Sequence, residues 1–121
     1  MSRIAAVAGA AIFGLAGAWA FLAPRSFYDT IATWPPYNGH FIHDLGAFQL
    51  GLAVALVAAL LHKDALMTVL VGAATAGLVH FAAHLEDRSL GGRPTDPLTI
   101  GAIAFLMAIG ALLRWRELRR G

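Results

Sequence analysis

Two short stretches of this chain carry residues that could do chemistry. HFIHD, at 40–44, brings His40, His43 and Asp44 within five positions, and HFAAH, at 80–84, places His80 and His84 four apart. His40 and Asp44 are four apart as well. That spacing puts both members of a pair on one face of a helix, a turn from each other. Neutral imidazoles beside one carboxylate are ligands for zinc or copper, and iron is also compatible. Two histidines on one rigid rod supply two ligands at once, and Glu86, Asp87 or Asp29 could orient a ligating histidine. The chain has no cysteine, which excludes thiolate metal sites, disulfides and cysteine nucleophiles.

The elements that must position these residues read as membrane helices. Of the 121 residues 59% are hydrophobic and only 13% charged, where a soluble domain carries about 25% charged residues. Mean hydropathy is +0.69. Four apolar stretches, at about 4–23, 40–61, 65–85 and 97–113, meet the ~20-residue requirement for a span, the fourth at the short limit. The expected fold is all-α: a four-transmembrane-helix antiparallel bundle, one integral membrane domain over 1–121. The first stretch also has the basic start, apolar run and AWA (18–20) of a signal peptide, but its run is longer than a signal core, and retention as a span is the expectation.

Lys and Arg set the orientation. With both termini inside, Arg3, Lys63, Arg114, Arg116, Arg119 and Arg120 face the cytoplasm, against Arg25, Arg88 and Arg93 outside. The pI near 9.7 therefore reads as topology, and nucleic acid is not an expected partner. The expected location is the cell membrane, with the lipid bilayer as the main partner. A homo-oligomer or a place in a larger membrane complex would suit so small a bundle, and the small stripe Ala10, Gly14 and Ala18 could serve it.

Caps refine the ends. Asn38 can cap the second span, and Asp96 the fourth, with Pro97 at its first position. Between spans 1 and 2, Ser26 and Asp29 have capping-box spacing, and Phe27, Ile31 and Trp34 recur on one face. A short interfacial helix is expected there, with Tyr28, Trp34 and Tyr37 at headgroup depth.

The two polar pairs are expected to converge. If spans 2 and 3 form a hairpin turning at Lys63, residues equally far from the turn share a depth. His40 then lies level with Glu86, and Asp44 with Ala82, beside His84 and His80. Ala47, Gly51, Ala55 and Ala58 continue the His40/Asp44 stripe, and Gly77 and Ala73 the His80/His84 stripe. Small residues allow close approach in lipid, so the stripes are expected to face each other. Ionisable residues within a membrane are costly and are functional candidates by default.

Three functional readings follow. The first is a small membrane metalloprotein, redox or hydrolytic, with a transition metal held by His40, Asp44, His80 and His84 at the extracytoplasmic end of spans 2 and 3. The second is a haem-binding, cytochrome-like bundle using His40, His80 and His84. The third is a non-enzymatic accessory or transport subunit without a cofactor, in which Asp44 accepts hydrogen bonds from His80 as a structural clasp between spans 2 and 3. Proton or substrate handling without a metal is a further use of the same residues. The sequence does not decide whether the chain is an enzyme. His43 points away from His40 and nearer Asp44, where it could be a second ligand or a loop and headgroup contact, and His62 reads as an ordinary interfacial residue.

The stretches PPYNGHFIHDLGAFQLGLAVAL and LVHFAAHLED together resemble small four-span membrane proteins of actinobacterial type, which carry YN-x-H-x-x-x-D-x-G at span 2 and H-x-x-x-H at span 3. The resemblance covers roughly the middle half of the chain. It implies a shared site at Asn38, His40, Asp44, Gly46, His80 and His84, leaves His43 outside, and lends no reaction. The layout is more remotely similar to DoxX-like proteins, which implies no function. HFIHD and HFAAH also resemble the histidine boxes of membrane di-iron oxygenases, but those need more histidines than this chain holds.

Overall fold

The computed structural model describes residues 1–62 and 65–120. The turn expected at Lys63 lies outside the described residues. Five helices follow in order: α1 (Ser2–Leu22), α2 (Pro24–Thr30), α3 (Gly39–Leu61), α4 (Ala65–Glu86) and α5 (Asp96–Arg120). All but α2 are long and apolar enough to cross a membrane. At 1.5 Å per residue the shortest, 21 residues, reaches about 30 Å, the thickness of a hydrocarbon core. Ile4, Val54, Val79, Leu98 and Phe105 project outward from these helices, as lipid-facing side chains do. The protein is a multi-pass membrane bundle. The fourth span runs past its expected end at 113, because RWRELRR is built of good helix formers.

The spans form a ring in the order α1, α3, α4, α5, but its seams are unequal. α1 packs closely on α3 and α4 on α5, while α3 and α4 touch sparingly. Glycines explain the close seams. A Cβ on Gly17 would stand 2.9 Å from the Gly46 carbonyl oxygen, and one on Gly46 would stand 2.9 Å from that of Gly17. Backbone meets backbone there. Gly77 meets Ala104 across α4 and α5 in the same way. Lipid is as apolar as leucine, so such close approach, rather than the hydrophobic effect, holds helices together.

Two clusters fill the interior. Leu56, Leu66, Leu70 and Met107 lie fully buried towards the end that carries the chain termini. A smaller cluster of Ala20, Phe27 and Ile42 sits under α2, with Trp19 edge-on to Phe27. Asn38 caps α3 as expected, accepting from the Phe41 N–H at 3.2 Å. The Ser26/Asp29 capping box does not form. Asp29 instead pairs with Arg25 at 2.9 Å, and Ser26 accepts from the Trp19 indole. Pro24 supplies the first turn of α2, which needs no N–H there. Trp34 falls in the following loop, beyond the helical face expected to carry it.

Candidate functional site

The last two turns of α4 present His80 and His84 on one face. Their Nε2 atoms lie 3.1 Å apart and their rings meet edge-on. On its other side, His84 Nδ1 faces Asp96 Oδ2 of α5 at 4.0 Å, with both side chains largely buried. Asp96 does not cap α5 with its side chain as expected. Its Oδ2 reaches back to accept the Arg93 N–H at 2.7 Å, which fixes the carboxylate beside His84. The edge of Trp34 packs on the His84 ring, 5.3 Å between centroids. Trp34 is seated in turn by Gly92, whose φ of +80° and contact with the indole both require glycine. The Gly92 N–H donates to the Thr33 carbonyl, so the loops before α3 and before α5 are joined over the site.

His40 and Asp44 form their own pair at 3.5 Å, with side chains 85% and 54% exposed. The structure thus arranges the expected quartet as two pairs. Among the described residues no three His, Asp or Glu side chains gather as a metal cluster. The reason lies in the rotation of α3. Gly46 and Ile42 are its buried positions at this end, with Gly46 against α1, so the His40/Asp44 stripe faces outward. Gly51, on that stripe, has nothing within 4 Å of the place its Cβ would occupy. The Gly77 stripe does mediate close packing, but with α5 rather than α3. His43 tilts against Phe21, and His62 ends α3 exposed.

The thin α3–α4 seam opens into a cleft of about 940 Å³. Phe13 of α1, Leu45 and Gln49 of α3, Gly77 and His80 of α4, and Ile103 of α5 are among its walls. The Gln49 amide makes no hydrogen bond among the described residues. His84 and Asp96 lie at the loop end of the cleft. A second cavity of about 340 Å³ adjoins it there, walled by Trp34, His84, Arg88 and Arg93. The cleft is therefore apolar along its length and polar at one end, the usual form of a small-molecule site.

Sequence reasoning missed Asp96 as the partner of His84, because it was assigned to a cap. The i,i+4 spacing of His80 and His84 was the correct signal for their pairing. Comparisons of the chain with protein-family models, with curated proteins and with solved structures gave no match.

Proposed function

We propose that this membrane protein holds a transition-metal ion between His80 and His84, with Asp96 orienting His84 from behind. The observation that carries this reading is the pair of Nε2 atoms 3.1 Å apart. A tetrahedral ion with metal–nitrogen bonds of about 2.0–2.1 Å separates two nitrogen ligands by about 3.3 Å. A carboxylate behind the second ring nitrogen fixes the tautomer that leaves Nε2 free to ligate. Two imidazoles suit zinc or copper. They suit haem less, because axial ligands must stand on opposite faces of the macrocycle and these two nitrogens converge. His40 and Asp44 are outside this reading. His80 and His84 both line the cleft, so an ion held by them would be open to a bound molecule there, and it would supply hydrolytic or redox chemistry. The bias of Lys and Arg supports placing the site at the extracytoplasmic side.

A structural clasp is the competing reading, and the His84–Asp96 contact between α4 and α5 favours it. Elemental analysis of protein purified without a histidine tag separates the two. The metal reading predicts one ion per chain, lost in His80→Ala and in His84→Ala and kept in His40→Ala. Protein that is metal-free, and whose Tm is unmoved by added zinc or copper, would establish the clasp instead.

A further inference from the structure

We infer that the cleft binds a long-chain carboxylate, with its chain along the α3–α4 seam and its head at the histidine end. This deepens the reading of His80 and His84 by naming what their open side receives. The cleft lies in the thin seam of a membrane-spanning bundle, so a lipid-borne molecule can enter sideways. Its volume of about 940 Å³ sits in the upper part of the ~300–1,000 Å³ range of small-molecule sites. The walls below the histidines are apolar apart from Gln49, so the occupant must be mostly hydrocarbon.

The head end has the opposite character. Arg93 borders both the cleft and the smaller cavity, and Arg88 borders the smaller one. Neither guanidinium makes a hydrogen bond or ion pair among the described residues. Two acids also border the cleft here. Asp96 is already engaged by the Arg93 N–H and faces His84, while the Asp87 side chain has no such tie. The free charged groups at this end are therefore two guanidinium groups against the one Asp87 carboxylate, and beside them stand the neutral imidazole edges that would hold the ion. A carboxylate answers both. It can bridge to arginine through two oxygens, and it is an oxygen ligand for an ion held by two imidazoles. The head is thus drawn by the two arginines whether or not the ion is present.

Trp19 and Trp34 line the cleft, whereas Trp115 lies near the other end of the bundle. This permits a direct test with Trp115→Phe protein in a non-ionic detergent, using dibromostearate as a quencher. Saturable quenching is expected, reversed by stearate, with methyl stearate competing roughly tenfold less well. Ala76→Phe, placed on an exposed wall of the cleft, should abolish saturable quenching while the far-UV spectrum and Tm stay unchanged. In protein freed of metal by chelation, the double variant Arg88→Gln/Arg93→Gln should bind stearate and its methyl ester alike. Equal competition by acid and ester in the unsubstituted cleft would overturn the carboxylate head. Displacement by lysophosphatidate at a tenfold lower concentration than stearate would overturn it in favour of a phosphate. Quenching that never saturates, or that survives Ala76→Phe, would overturn the cleft as the site. The two readings fail separately: stearate binding by protein that is metal-free as purified and takes up no added zinc or copper sinks the ion and leaves this inference standing.

Discussion

The two ends of the bundle are built from the same amino acids and closed in different ways. At the end that carries the termini, helices interlock. A Cβ on Gly110 would stand 2.6 Å from that of Ala5, and one on Gly9 would strike Met107. Buried Ser2 donates to Glu117, and Arg3 donates to the Leu60 carbonyl across helices. At the opposite end the helices part along the α3–α4 seam, and the loops around Trp34 and Gly92 bridge over it. The difference is where side-chain bulk and polarity fall. Where glycine and alanine meet across a seam, the backbones close on each other. Where Phe13, Gln49 and His80 stand in place of glycine and alanine, the helices part, and a cleft remains with polar groups among its walls.

Filling a tight seam should therefore cost most. Gly46→Val would force a side chain into the backbone of α1, and the expected loss is about 3 kcal/mol of bundle stability. Denaturant titration or steric trapping in bicelles would measure it. Gly51→Ala is the control on the same helix. It meets nothing, so it should leave stability unchanged or raise it by at most ~1 kcal/mol through helix propensity. Comparable losses at both glycines would mean that the α1–α3 seam does not hold the bundle together.

Gly92→Ala comes next. A side chain at φ +80° that also meets the Trp34 ring at 2.8 Å should cost about 1–2 kcal/mol. Because it unseats the bridge over the cleft and not the closed end, the loss should come with a change in Trp34 emission. The same loss with unchanged emission would separate the loop bridge from the site it covers.

The contrast between the ends also marks what could be read without coordinates. The four spans, the short helix after the first and the Asn38 cap were legible, because each depends on a local run or spacing. The pairing of faces was not. Ala47–Gly51–Ala55 on α3 looks as suited to close approach as Gly46 does, and only the rotation of α3 towards Gly17 decides between them. Levels were legible and azimuth was not. His40 and Asp44 were therefore assigned to the seam although they face outward. Asp96 was hidden for a related reason. A cap and a partner for His84 make the same demand on the sequence, an acid at a helix start, and only the packing of α4 on α5 tells them apart.

Smaller effects test the site itself. Asp96→Asn keeps the shape and the Arg93 hydrogen bond but weakens the acceptor behind His84, so metal affinity should fall about 10- to 100-fold with stability nearly unchanged. Cobalt titration followed by visible absorption would show it. A stability loss without a change in affinity would favour the clasp.

Asp44→Asn should have the smallest effect. Its pair with His40 is exposed and spans a single helical turn, and such pairs contribute about 0.3–0.5 kcal/mol. Were the four residues one site, this substitution would weaken cobalt binding as Asp96→Asn does. With two separate pairs it should leave cobalt affinity where it was. The two aspartates are alike in place, each within the first turns of a helix and each facing a histidine. They differ in what the fold sets beside them, Asp44 outside the α3–α4 seam and Asp96 behind the ring that lines it. Matched titrations of the two variants therefore decide whether α3 contributes to the site at all. A loss at Asp44 equal to that at Asp96 would require α3 to turn its polar face inward in the bilayer.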